Sequence, residues 1–256
     1  MLINVSGLTD IGRDRNENQD SIDWYVDPAL EYAYLLVADG MGGYTGGATA
    51  SALAVEVIGG ALKQLPFDPA LQQGVNEALL RARVSAILQA ANQRILDEKL
   101  VQPQLAQMGT TVVAVVIWGA WALVAHIGDS RAYLWQDQRL LQVTRDHSLV
   151  QELVDSGAMT VEEAAHSRQR NVLTRALGIQ PDIAPDFRGV PLNRDALFLI
   201  CSDGLTGLVD DAALAHELAQ HLPILESCYR LVHMANGAGG KDNISVVLAE
   251  TAHSGR

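Results

Sequence analysis

The stretch "TTVVAVVIWGAWALVAHIGDS", residues 110–130, decides the fold. Two apolar, β-branched runs, "TTVVAVVIW" and "WALVAHI", flank Gly119 and Ala120, and each has the length of a strand. A two-residue connection suits an antiparallel hairpin and is too short for a crossover. Both faces of each run are apolar, which calls for a sheet covered on both sides. The second run then stops at "GDS" and carries a carboxylate, Asp129, out of the core.

Working outward, "YAYLLVA", "RAYLWQ", "LLQVT", "LFLIC" and "ISVVLA" have the same character and are bounded by turn residues, so they also read as strands. Asp137 and Gln138 form a second hairpin-length connection. Helices frame these strands. One is expected from about Thr49 to Leu62. A longer one opens at Asp68 and Pro69, an N-cap and N1 pair, and carries Leu80, Val84, Ile87, Ala91 and Ile95 at helical spacing to near Leu100. A third segment, Leu214 to Ala235, is helical, broken at Pro223 and stopped at Gly237. The polar region "RDHSLVQELVDSGAMTVEEAAHSRQRN", residues 145–171, holds a capping-box spacing at Thr160 and Glu163, with Gly157 between two short helices.

With 48% hydrophobic and 19% charged residues among 256, the chain is of a globular kind. No repeat or linker divides it, so one domain over residues 1–250 is expected, with a short tail at 251–256. A net charge of -12 without any Lys/Arg-rich run argues against nucleic acid or an anionic membrane as the main partner. Cys201 and Cys228 sit in apolar surroundings and read as reduced core thiols, which fits a reducing cytosol. No apolar stretch reaches about 18 residues, and the start "MLINVSGLTD" lacks a signal-peptide pattern. A cytoplasmic chain without membrane insertion is the expectation.

Three apolar runs end in an aspartate followed by a small residue: "LLVADG" at Asp39, "VAHIGDS" at Asp129 and "LFLICSDG" at Asp203. A fourth aspartate, Asp242 in "GGKDN", stands just before the run that begins at Ile244. One Asp-Gly is ordinary turn chemistry. Four aspartates at strand ends converge if the strands are neighbours, and converging carboxylates either take up protons or bind cations. Oxygen donors without His or Cys at zinc spacing favour Mg²⁺ or Mn²⁺. The seven histidines are scattered, and His126 reads as a supporting residue rather than a ligand. In "GLTDIGRDRNENQDS", Arg13 and Arg15 lie among acidic residues; Arg13 reads as part of a solvated loop, whereas an Arg beside metal-bound carboxylates suits bidentate binding of phosphate. Transfer of a phosphate group to water becomes the leading chemistry.

Taken together, "GLTDIGRDRNENQDS", "LLVADGMGGYTGGATAS", "MGTTVVAVV", "AHIGDSRAYLW", "LLQVTRDHS", "LFLICSDGLT" and "GGKDNISVVL" resemble, in family order from residue 6 to about 250, the metal-dependent type 2C (PPM) serine/threonine protein phosphatases in their compact bacterial form. The resemblance implies an α+β fold, a four-layer α/β/β/α sandwich of two antiparallel sheets flanked by helix pairs, with a flap at about 145–171. It also implies a core site for two Mn²⁺ or Mg²⁺ ions. Asp39 would bridge them, Gly40 would add a backbone carbonyl, and Asp203 and Asp242 would be further ligands. Asp129 would join Asp203 at a third, weaker site. Arg15 would bind phosphate and Asp20 would orient the attacking water held between the ions, with no phosphoenzyme formed. Gln19 stands where many members have Glu. Met41 stands where many eukaryotic members carry His, which leaves a water, or less favourably His147, to protonate the leaving group. The implied substrates are phosphorylated proteins, targets of bacterial serine/threonine kinases, and a monomer is expected. A catalytically silent phosphoprotein-binding regulator and a hydrolase of small phosphate esters are the competing readings.

Overall fold

The computed structural model describes residues 1–43, 46–72, 75–192 and 195–252. The chain begins with β1 (Leu2–Asp10), β2 (Asp20–Asp27) and β3 (Tyr32–Met41), followed by α1 (Gly46–Gln64), α2 (Pro69–Gln72) and α3 (Glu77–Val101). Strands β4 (Gly109–Thr110), β5 (Val112–Trp118), β6 (Trp121–Ile127), β7 (Arg131–Gln136) and β8 (Arg139–Gln142) come next. Helices α4 (Leu149–Asp155) and α5 (Val161–His166) precede β9 (Asp186–Pro191) and β10 (Ala196–Cys201). The chain closes with α6 (Asp203–Thr206), α7 (Asp211–Leu218), α8 (Ile224–Gly237) and β11 (Ile244–Ala252).

The strands form two sheets, one ordered β1-β11-β10-β7-β8 and one ordered β2-β3-β5-β6-β9, with β4 appended to β3. Neighbours pair antiparallel throughout these orders. The hairpin that opened the sequence reading is β5–β6, and Gly119 takes a φ of +57° in its turn. At the β7–β8 turn Asp137 and Gln138 both have positive φ, the backbone of a type I′ turn, whose twist matches that of the flanking strands.

Side-chain alternation builds the layers. In β3 and β5, Tyr34, Leu36, Val112 and Ala114 face a core shared with Ile58 of α1 and Leu88 of α3. Their neighbours Leu35, Val37, Val113 and Val115 face the other way, onto Phe198 and Ile200 of β10 and Val247 of β11. The outer face of that second sheet, with Leu199 and Leu248, packs on Leu214 of α7 and Leu231 of α8. The result is the expected helix, sheet, sheet, helix stack, with period-two strands feeding two cores each.

One helix boundary differs from expectation. Asp68 caps only the short α2, its Oδ1 accepting from Ala70 N at 2.8 Å, and the long helix starts afresh at Glu77 with Asn76 as N-cap. The C-terminal segment, by contrast, divides at Pro223 and ends at Gly237 as expected, with Pro223 standing as the N-cap of α8, so only the start of the long helix differs. The capping box at Thr160 and Glu163 is present, and Gly157 separates α4 from α5. Strand β11 continues to Ala252, paired with Leu2; the remainder of the expected tail lies outside the described residues. Among the described residues, no helix is long and apolar enough to cross a membrane.

Candidate active site

One edge of the sandwich collects the strand ends that carry aspartates. Asp39 near the end of β3 pairs in register with Asp20 at the start of β2. Asp129 follows β6, Asp203 follows β10 as the first residue of α6, and Asp242 precedes β11. Antiparallel pairing is what brings the start of one strand beside the end of the next. These residues surround a cleft of about 510 Å³, walled by Arg15, Asp39, Gly40, Asp129, Asp203 and Asp242. Asp20 stands behind that wall, buried, and accepts from Ser202 Oγ at 2.7 Å.

The electrostatics are those of carboxylates in want of a cation. Asp39 is held well above the usual carboxylate range, first by burial and then by repulsion from Asp20, Asp203, Asp129 and Asp242. Burial, with Asp203 and Asp146 nearby, pushes Asp129 up to about 8. Burial also lifts Asp20 to about 6, against the opposing hydrogen bonds of Ser245 and Ser202. Asp203 rises through burial and then through repulsion from Asp242. Buried carboxyls crowded together hold protons more tightly, so without a cation this site stores protons instead. A hard divalent ion with oxygen ligands matches the donor set.

The backbone around Asp39 is tied down by its neighbours. Thr111 N donates to Asp39 O at 2.9 Å, and Asp39 N donates to Thr111 Oγ1 at 3.1 Å. Gly40 N donates to Gln19 O at 3.1 Å. A Cβ on Gly40 would stand 2.1 Å from Gly47 O, and one on Gly47 would stand 2.7 Å from Gly40 O. The two glycines therefore let α1 approach β3 closely without a side chain against the Gly40 carbonyl. Gly42 and Gly43 have positive φ, the freedom expected for a turn out of β3; Tyr44 and Thr45 lie outside the described residues. Met41 pairs with Gly109 of β4 and lines the cleft, and a Cβ on Gly109 would stand 2.9 Å from the backbone oxygen of Leu177.

Arg15 reaches the cleft from the loop between β1 and β2 and donates through Nη2 to Asp242 Oδ2 at 2.6 Å. Asn243 fastens that loop: its Oδ1 accepts from Gln19 N at 2.9 Å, and its Nδ2 donates to Ile11 O at 2.9 Å and Glu17 O at 3.0 Å. Arg13 bonds through its backbone to Gly240 O and does not line the cleft. His147 is a correction to the sequence reading. It is 1% exposed and absent from the cleft wall, so it cannot reach a leaving group there. Sequence reasoning passed over Thr111, Asn243, Asn171 and Leu173, all of which line the cleft.

Residues 12–243 match the pattern described as protein phosphatase 2C. The chain belongs to the protein phosphatase 2C family. Among its relatives, the protein phosphatase PhpP of Streptococcus pneumoniae is 38% identical over 245 residues, spanning 95% of this chain and 96% of that one. A serine/threonine phosphatase stp of Listeria monocytogenes is 35% identical over 242 residues, with 94% and 93% covered. Of solved structures, the Mycobacterium tuberculosis serine/threonine phosphatase PstP/Ppp superposes with a TM-score of 0.87 at 34% identity, covering 99% of this chain and 100% of that one. A PstP catalytic domain solved with two manganese ions gives a TM-score of 0.83 at 33% identity over 98% and 99% of the two chains. The 2C-family sandwich expected from the motifs is thus the fold of this chain.

Proposed function

We propose that this chain is a metal-dependent protein phosphatase that hydrolyses phosphoserine and phosphothreonine in proteins. The observation that carries this reading is the convergence of Asp39, Asp129, Asp203 and Asp242, drawn from both sheets, on one cleft that also holds Arg15. Asp39, the Gly40 carbonyl, Asp203 and Asp242 would hold two Mn²⁺ or Mg²⁺ ions, and Asp129 with Asp203 a third, weaker one. When bound, such ions make a nucleophile of water near neutral pH and neutralise charge on the transferring phosphate.

The chain's own residues do the rest. Arg15 spends only Nη2 on Asp242, so other donors of its fork are available to phosphate oxygens. Asp20, fixed by Ser202 and paired in register with Asp39, orients the attacking water from behind the wall. Met41 has no proton to give and His147 is sealed away, so solvent in the open cleft protonates the leaving alkoxide. The relatives named as serine/threonine phosphatases support phosphorylated proteins as substrates; bacterial serine/threonine kinases as the source of those phosphates, cytoplasmic signalling and a monomeric chain belong to the same proposal.

The test is turnover of a phosphothreonine peptide with Mn²⁺, before and after EDTA, compared with small metabolite phosphates. The expected result is EDTA-sensitive release of phosphate with kcat/KM favouring the peptide, and a loss of about 100-fold or more in Asp39→Asn. Full activity in Asp39→Asn overturns the metal assignment. A preference for metabolite phosphates replaces the protein substrate with a small ester, and tight peptide binding without turnover replaces the enzyme with a regulator.

A further inference from the structure

Beyond the cleft wall, His126, His147 and Asp186 bring ligand-capable atoms within 4.8 Å of one another. Two features show that this cluster is not a second metal centre. The imidazoles stack, with centroids 4.6 Å apart and planes 26° from parallel. Imidazole lone pairs lie in the ring plane, so stacked rings do not converge on one ion at bonding distances of about 2.0–2.1 Å. The second feature is the tautomer. Gly128 N donates to His147 Nδ1 at 3.1 Å, which puts the ring's proton on Nε2. That Nε2 faces Asp186 Oδ2 at 3.2 Å, poorly aligned for a hydrogen bond, and neither ring nitrogen has a lone pair left for a metal. Burial, then His126 and Arg175, hold the His147 pKa down at about 4, so the ring is neutral at pH 7.

The backbone of the same residue makes two further bonds. His147 N donates to Gly128 O at 2.9 Å, and His147 O accepts from Thr174 N at 2.9 Å. Gly128 is thus gripped at both its N–H and its carbonyl. Its φ of +109° and the close approach of Thr111, 2.5 Å from where a Cβ would stand, leave it no alternative seat. The next residue is Asp129. On the other side, Thr174 follows Leu173, which pairs with Ser148 at the root of the flap and lines the cleft.

We propose that His147 is a positioning residue, a clamp that sets Asp129 through Gly128 and seats the returning strand of the flap through Thr174. The proposal rests on the reading of Asp129 as a ligand of the third, weaker ion. Asn and Gln distinguish the two ring nitrogens. In His147→Asn, Oδ1 stands near the place of Nδ1 and still accepts from Gly128 N–H; in His147→Gln, the amide extends toward Asp186 and that acceptor is lost.

The experiment measures Mn²⁺ bound to the holoenzyme by equilibrium dialysis across Mn²⁺ concentration, together with kcat and KM on a phosphothreonine peptide. His147→Gln is expected to weaken the weakest Mn²⁺ step and to lower kcat, each about 10-fold, with KM changed by less than about 3-fold. His147→Asn is expected to restore most of both. Asn and Gln variants that fall together in kcat and in melting temperature overturn the clamp in favour of simple packing. A wild-type weakest step unchanged in His147→Gln also overturns it, and so does loss of one tightly bound ion in both variants. If wild-type protein shows no third step, it is the Asp129 reading that fails. Independently of any variant, nitrogen NMR of labelled wild-type protein must find His147 protonated at Nε2; the Nδ1–H tautomer overturns the proposal.

Discussion

Gly40 has no side chain because the space is taken: a methyl there would press on Gly47 O at 2.1 Å and Gln19 O at 2.5 Å. Both obstacles are backbone and cannot rotate away. Gly40→Ala is therefore expected to cost about 1–3 kcal/mol of stability, the range for overpacking, and to remove most turnover by shifting the carbonyl beside Asp39. Thermal melting alongside the phosphopeptide assay checks this, and a variant with wild-type melting and activity contradicts it. At this scale the sequence was informative where a residue interrupts a pattern. Asp39, Asp129 and Asp203 each end an apolar run, and that made them visible. Asn243 and Thr111 act through bonds to Gln19, Ile11 and Asp39, which lie far away along the chain, so no local pattern marks them.

Among elements, the strands legible in the sequence are mainly those buried on both faces. Strands β1, β2 and β9 were missed, and all three are sheet edges. An edge strand is covered on one side only, so "DSIDWYVD" and "DFRGVP" carry charges, a glycine and a proline that break the apolar run. The same breaks in the apolar pattern leave nothing in "NQDS" to mark that Asp20 begins a strand in register with Asp39. Helix α3 contributes more than an apolar stripe: the buried Asn92 accepts from Gly178 N at 2.7 Å and donates to Gln180 O at 2.8 Å and Pro181 O at 3.1 Å. Asn92→Leu matches the size but strands these groups, with an expected loss of about 1–3 kcal/mol. Chemical denaturation reads it, and a neutral substitution would mean that water replaces the side chain.

For the whole molecule, the carboxylates make stability depend on pH when no metal is bound. Asp129 titrates at about 8 in the folded chain against 3.8 unfolded, and Asp20 at about 6. Between those limits the folded chain holds protons that the unfolded chain has released, so stability falls as pH rises. His147 works with the opposite sign, but only below its unfolded value of 6.5. Metal-free protein is thus expected to melt at higher temperature at pH 6.5 than at pH 8.5, and saturating Mn²⁺ should abolish or reverse that order. Scanning calorimetry with and without EDTA decides it; a metal-free melting temperature that climbs with pH across this window contradicts the carboxylate account.

Asp20, Asp39 and Asp129 come from one sheet and its connections, Asp203 and Asp242 from the other. The cleft is therefore a seam, with a gap that neither sheet sets alone. A small shear between the sheets changes the spacing across the seam while every ladder hydrogen bond stays intact. Core substitutions that let the sheets slip are therefore expected to lower turnover before they alter secondary structure, which makes the site a strain gauge for the sandwich.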